Sequence, residues 1–293
     1  MKILVTGSKG QLGRELISQG KQFNFEILPF DLPELDITDI IQVEKILSNS
    51  HPSLIINAAA YTNVDGAESE QTLACKVNGD GPANLAKACA KAKIPLIHIS
   101  TDYVFDGGKE TPYIETDPVS PTGVYGKSKE QGEAEVRSHL NQHIILRTAW
   151  LYGIHGHNFV KTMLKLGKEK KIIKVVADQY GCPTSADDLA ETVLIIADLI
   201  RNSSKIKWGT YHYCGHGITT WHKFAETIFE ISREYDSMEI PRVEPVTTAE
   251  YPTKAKRPAF SALDCSLIYK NFEISAKPWQ ESLKRTIRAL KNI

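Results

Sequence analysis

The chain lacks what several broad protein classes need. It has no long hydrophobic run: the apolar stretch Val193–Leu199 is interrupted by Asp198, far short of the roughly 20 apolar residues of a membrane-spanning helix. It has no excess of either charge, because Lys plus Arg and Asp plus Glu number 35 each. That balance removes the electrostatic footprint of a protein working mainly on nucleic-acid backbone or on an anionic membrane. Cysteine is scarce and odd in number, with Cys75, Cys89, Cys182, Cys214 and Cys265 and no C-x-x-C spacing. A disulfide scaffold and a zinc ribbon are both disfavoured, and reduced thiols in a cytoplasmic protein are expected. Met1 and Lys2 run into the short apolar piece Ile3–Val5, much shorter than a signal-peptide core.

What is present describes a globular protein. With 293 residues, 42% apolar and 24% charged, the chain can bury a large core and is not intrinsically disordered. A small-molecule ligand is therefore the expected partner, with no nucleic acid and no membrane.

The first half alternates short β-branched runs with segments of helical spacing. The runs are "KILVTG", "FEILPF", "SLIINAAA", "PLIHIS" and "HIILRTAW". Runs of this kind read as strands buried on both faces, and their alternation with helices predicts a parallel, doubly wound α/β sheet. "KIIKVVAD", Lys171–Asp178, is expected as a sixth strand. After about Ser203 the pattern loosens into "GTYHYCG", a helix capped by Thr219 or Thr220, and a C-terminal helix near Trp279–Leu290. The absence of a linker predicts a smaller, interleaved α/β domain: residues 1–150 plus about 171–202 for one unit, about 151–170 and 203–293 for the other.

"KILVTGSKGQLGRELI" is a strand, three glycines at G-x-x-G-x-x-G spacing (Gly7, Gly10, Gly13), and a helix. Glycines there permit a tight turn and close approach of backbone to a pyrophosphate, whose charge the helix N-terminus favours. A Rossmann-type dinucleotide site follows as the expectation. Asp31 lies eighteen residues after Gly13, near the offset of a carboxylate that holds the adenosine ribose, which favours NAD. Lys9 and Arg14 in the turn point the other way, toward the 2′-phosphate of NADP.

Two further strands end in ligand-like sequence. "SLIINAAAYTNVD" leaves small side chains at a strand's carboxyl end, where such sheets bind ligands, with Asn57, Tyr61 and Thr62 as contacts. "PLIHISTDYVFDGG" places Ser100, Thr101 and Asp102 at the same level, where hydroxyls could meet a reacting oxygen; a turn or cap is the alternative for Asp102. In "PTGVYGKSK", a helix over 125–140 would set Tyr125 and Lys129 on one face. A neighbouring ammonium favours the phenolate and so brings the phenol, ordinarily near 10, closer to working pH. Alone this pair reads as a solvated helix face; downstream of a nucleotide loop it reads as a proton-transfer pair. "HYCGHG" could place His212, Cys214 and His216 on one face, but no fourth ligand follows at metal-like spacing. "GIHGHNF" reads as a surface loop.

Together "TGSKGQLG", "NAAAYTNVDGAESE", "STDYVFDG", "PTGVYGKSK", "DQYGCPTSADDLA" and "RPAFSALD" resemble the extended short-chain dehydrogenase/reductases. Within them, the chain is similar over its whole length to the dTDP-4-dehydrorhamnose reductase family. The resemblance implies an enzyme that reduces the C4 carbonyl of dTDP-4-dehydro-L-rhamnose with NADPH or NADH, the last step of dTDP-L-rhamnose synthesis. It implies Gly10, Gln11 and Leu12 along the pyrophosphate, Asp31, Asp36 and Ile37 near the adenosine, and Ala60, Tyr61 and Thr62 further along the cofactor. It gives Thr101, Asp102 and Trp150 to the sugar, the proton to Tyr125, and the nicotinamide ribose to Lys129. Arg257 is expected at the diphosphate, with a surface ion pair as its alternative. Some members of that family are magnesium-bridged dimers, so Mg2+ at Glu15, with Asp187 or Asp188 as companions, and a homodimer are carried as expectations. Asp102 is followed by Tyr103 rather than the second acid of sugar-nucleotide dehydratases. Two rival readings remain: reduction of another nucleotide 4-keto-6-deoxy sugar, or a non-catalytic NADP-binding regulatory subunit.

Overall fold

A computed structural model describes residues 1–203, 205–235 and 240–292. Its first half follows the apolar runs. Strand β1 (Lys2–Thr6) leads into helix α1 (Gln11–Gly20), then β2 (Glu26–Phe30), α2 (Ile40–Ser50) and β3 (Leu54–Asn57). Next come α3 (Gly81–Ala92), β4 (Leu96–Thr101), α4 (Val124–His139) and β5 (His143–Thr148). The second half holds α5 (Phe159–Glu169), β6 (Ile172–Val176), α6 (Ala186–Asn202) and β7 (Gly209–His212). It closes with α7 (Trp221–Ser232), β8 (Arg242–Val246), α8 (Ser266–Phe272) and α9 (Trp279–Lys291).

Six strands make one all-parallel sheet in the order β7-β5-β4-β3-β1-β2. The central strands are buried on both faces because helices cover both: Ile3, Val5, Ile56 and Ile97 face one core with Leu16 and Val193, while Leu4, Ile55 and Leu96 face the other with Val43, Leu85 and Val136. Strand order reverses between β1 and β3, the position at which open α/β sheets leave a crevice for ligands.

The expected sixth strand of this sheet lies elsewhere. Residues 172–176 pair with β8 in a separate two-stranded parallel sheet, and Gly209–His212 takes the sixth place beside β5. The physical reason is visible in β6 itself: Ile172 and Lys174 are exposed while Ile173 and Val175 are buried, so it is covered on one face only. A fully buried central strand has no such alternation. Its apolar face joins a second core with Tyr152, Met163, Phe224, Phe229, Trp279 and Leu283.

Helix ends follow sequence signals. Asp39 accepts from the N–H groups of Ile41 and Gln42 at the start of α2, and Asn158 and Thr220 cap α5 and α7 through Lys161 N and Lys223 N. Helix α4 has no cap of its own. Glu68 reaches across from the "NVDGAESE" segment and accepts the Val124 N–H at 2.8 Å. Among the described residues no helix is long and apolar enough to cross a membrane.

Candidate active site

A cleft of about 800 Å³ opens over the carboxyl ends of β1, β3, β4 and β5, within the range of cofactor and ligand sites. Its floor is the glycine turn. Gly7 has φ +68°, and a Cβ there would lie 2.6 Å from Ala58 C and Ala59 N. A Cβ on Gly13 would lie 2.2 Å from the Gly7 carbonyl oxygen. Loop, β3 and α1 are thus in contact at backbone distance. Gly10, Gln11 and Leu12 line the cleft, and α1 begins there without an acidic first turn or a side-chain cap, which leaves its N-terminal amides free for an anion. Thr148 Oγ1, buried at the cleft wall, has no hydrogen-bond partner. Amide donors without partners and a cradle that a side chain would fill fit a dinucleotide.

At the far end of the turn the charges are mixed. Asp31 accepts from Lys9 N and Leu32 N, each at 2.8 Å, so its two carboxylate oxygens brace the loop. The Lys9 ammonium donates to the Leu32 carbonyl and pairs with Glu34, while Arg14 Nε donates to the Lys9 carbonyl. Asp36, Ile37, Ala60 and Thr62 line the same cleft.

Two expected contacts lie outside it. Asn57 is fully buried, where its carboxamide accepts from Thr6 Oγ1 at 2.7 Å and from Ala59 N, and meets His98 Nδ1 at 3.0 Å. Its side chain ties three strands together rather than facing the crevice. The Tyr61 hydroxyl donates to Glu70 at 2.5 Å, and its backbone is clamped by Asn78.

The reacting centre is built on β4, its following turn and α4. Thr101 donates to Asp102 Oδ1 at 3.0 Å and accepts from Tyr103 N. Burial pushes the Asp102 carboxyl up to about 6, against the pull of the Ser261 and Thr101 hydroxyls. The first turn of α4 carries Tyr125, partly open to the cleft. A Cβ on Gly126 would sit 2.2 Å from the Tyr103 carbonyl oxygen, so glycine lets the helix approach this turn. Lys129 is 2% exposed and donates to the Ile99 carbonyl at 2.7 Å.

The electrostatics differ in sign from the sequence expectation. Burial raises the Tyr125 phenol above its ordinary value, and Asp102 and Tyr103 add to the rise, while a hydrogen bond with Thr101 opposes it. Burial also brings Lys129 down to about 8, with Glu133 pulling it back up. Desolvation is the dominant influence on the phenol, and the Lys129 ammonium is not among the groups that act on it. The result is a phenol fully protonated at neutral pH.

The substrate side is aromatic. Trp150, with φ +47°, stacks on Trp221 at 3.6 Å between centroids and 8° between planes, and both line the cleft. Gly181 passes beneath Trp150: a Cβ there would lie 2.4 Å from the indole. Arg257 lines the cleft and is also an ion pair, donating to Asp65 at 2.8 Å and to the Tyr103 hydroxyl at 2.9 Å. Tyr103 in turn meets the Tyr125 ring edge-on at 5.5 Å.

Several lining residues escaped the sequence reading. Thr148 and Trp221 carry no motif. The loop "GIHGHNF", expected at the surface, brings Gly156 and His157 into the cleft, and Asn158 donates to Gln11 at 2.9 Å. Glu15 is buried on α1, its carboxyl raised by burial and by Asp187. Among the described residues no three His, Cys, Asp or Glu side chains converge as a metal-ligand set. His212 instead faces the Tyr113 carbonyl, and Cys214 lies against Leu263 O and Cys265 Sγ.

Comparison with known proteins places the whole chain. Residues 1–292 match the family model described as the RmlD substrate binding domain. A dTDP-4-dehydrorhamnose reductase of Aggregatibacter actinomycetemcomitans is 45% identical, covering 98% of each chain. The crystal structure of a dTDP-4-dehydrorhamnose reductase from Clostridium acetobutylicum superposes with a TM-score of 0.93 at 44% identity, over 99% of this chain and 100% of that one. One from Bacillus anthracis, solved in complex with NADP, gives 0.91 at 40% identity, over 98% and 99%.

Proposed function

The chain belongs to the dTDP-4-dehydrorhamnose reductase family, and from that membership and the geometry of the cleft we propose that it reduces the C4 carbonyl of dTDP-4-dehydro-L-rhamnose to the alcohol. The observation that carries this reading is a neutral phenol and a threonine hydroxyl side by side at the mouth of a dinucleotide-shaped turn. The cofactor, when bound, supplies a hydride to the carbonyl carbon. The chain's own residues handle the oxygen. Thr101 donates to the developing alkoxide, and Tyr125, protonated at neutral pH, delivers the proton. Lys129 holds the nicotinamide ribose and stabilises the phenolate left behind.

Residues 1–150, with 186–202 and 209–212, hold the dinucleotide in this reading. The segments around α5, β6, α7, β8 and α9 form the sugar-nucleotide side. Trp150 and Trp221 offer flat apolar faces to sugar or base, and Arg257 exchanges Asp65 for the substrate diphosphate. Gly10 brings the turn close to the cofactor pyrophosphate, and the backbone amides of Gln11 and Leu12 take its charge.

The test is to mix the protein with NADPH or NADH and a panel of nucleotide 4-keto sugars and follow loss of the reduced nicotinamide absorbance. Oxidation that requires dTDP-4-dehydro-L-rhamnose supports the proposal. Preference for a different 4-keto-6-deoxy sugar replaces the substrate, and cofactor binding without oxidation identifies a regulatory subunit.

A further inference from the structure

One buried charge pair lies outside the chemistry above yet stands on its helix. Glu133 is fully buried and accepts three hydrogen bonds, from Arg147 Nε at 2.9 Å, Arg147 Nη2 at 2.6 Å and Arg137 Nη1 at 2.9 Å. Arg147, 3% exposed on β5, is in register with Ser100 on β4. Its remaining nitrogen faces His212 Nε2 at 3.4 Å, and His212 Nδ1 faces the Tyr113 carbonyl at 3.0 Å. Burial and Arg147 push His212 down to about 3, so it is a neutral acceptor for the guanidinium.

Tyr125, Lys129 and Glu133 are spaced i, i+4, i+8 on α4, and residues at that spacing share one face of a helix. The helix is pressed against the helical segment Lys76–Asp80, where a Cβ on Gly132 would lie 2.1 Å from the Asn78 carbonyl oxygen, and Lys129 and Glu133 meet the sheet at Ile99 O and Arg147. A bidentate buried ion pair is a poor stability device, since well-packed apolar residues do as well or better. Its placement beside a buried ammonium gives it another use. Full burial alone can lower an ammonium by 3 to 5 units. The charged and titratable groups acting on Lys129 are Glu133 from its own helix and His98 from β4, and His98 is held neutral by burial. Glu133 is the anion, and Arg147 together with Arg137 keeps it ionised.

We propose that Glu133, clamped by Arg147 one turn along α4 from Lys129, is the positioning residue that keeps Lys129 in its ammonium form. The pair acts through Lys129 and touches neither substrate nor cofactor. This inference rests on the proposed reduction for its catalytic consequence, and on the shared, buried face of α4 for the link between Glu133 and Lys129.

The experiment reads both separately. Protein labelled with carbon-13 at lysine Cε is titrated by NMR without ligands, the Lys129 signal being assigned by its loss in Lys129→Met. Glu133→Gln should move the Lys129 midpoint down from near 8 by about one pH unit. The alkaline limb of kcat/KM for NADPH-dependent reduction should move with it. An unmoved Lys129 midpoint overturns the proposal, whatever happens to rate or stability. A moved midpoint in a protein that oxidises no NADPH upholds the role of Glu133 and rejects the reductase reading. If Glu133→Gln does not fold, the double variant Glu133→Gln/Arg147→Met, which leaves no unpaired buried charge at the clamp, should still move the Lys129 midpoint down, by a smaller amount because the Arg147 cation is lost with the anion.

Discussion

Asp102 is held in a costly state. Its carboxyl is 2% exposed and raised to about 6, against about 3.9 in an unfolded chain. The raised value means that the native protein binds the proton more tightly than the unfolded one. Stability is therefore greatest with respect to this group below about pH 4 and is lost as pH rises through 6. Asp102→Asn should then stabilise the fold at pH 7.5 by on the order of 2–3 kcal/mol and have little effect at pH 4. Urea unfolding at the two pH values checks this, and equal effects at both would remove burial as the cause. Activity should fall in the same variant, since stability and function pull apart at sites of this kind. At this scale, strand-end position and a helical i, i+4 spacing in the sequence anticipated that Thr101, Asp102, Tyr125 and Lys129 line one cleft. It misjudged Asn57, because a polar residue closing a buried strand can serve Thr6 and His98 as readily as a ligand. The sign of the Tyr125 shift was hidden too, because desolvation depends on what the rest of the chain covers.

Helix α4 depends on a neighbour for its first turn. Gly123 offers no capping side chain, and Glu68 supplies the acceptor from another segment. Glu68→Ala should cost about 1 kcal/mol of stability and, since Tyr125 lies in that turn, should lower kcat as well; thermal melting and steady-state kinetics on one preparation check both. Helix α1 poses the opposite problem of too little room. Gly13→Ala would drive a methyl group into the Gly7 carbonyl, an overpacking worth roughly 1–3 kcal/mol. NADPH affinity, read by quenching of the four tryptophans, should weaken at least about tenfold. Elements were legible where hydrophobic period and caps agreed, as in β1 to β5 and in α7 behind Thr220. Strand β6 was recognisable as a strand, but its sheet was not: pairing with β8 spans about seventy residues, and a local run carries no record of a partner at that distance. The exposed Ile172 and Lys174 were the available hint.

The whole molecule consists of a doubly wound sheet and a second core gathered around Phe224 and Trp279, with the cleft where they meet. Contacts such as Gln11 with Asn158 and Asp65 with Arg257 cross between distant parts of the chain around it. A cofactor seated there binds the folded state alone, so NADPH at a hundred times its dissociation constant should add about 2.7 kcal/mol to stability, visible as a rise in Tm. The parallel sheet and nucleotide turn could be read from the sequence; the wall formed by Trp221, Gly156 and His157 could not, because the start of α7 and the loop at 153–158 meet only in the folded chain. The decisive comparison is NADPH oxidation with dTDP-4-dehydro-L-rhamnose by the native protein and by Tyr125→Phe, alongside NADPH binding to each. The native protein should turn over, and the variant should bind NADPH equally but lose roughly 10² to 10⁴ in kcat. A Phe variant that turns over like the native protein would contradict the assignment of Tyr125 as the proton donor.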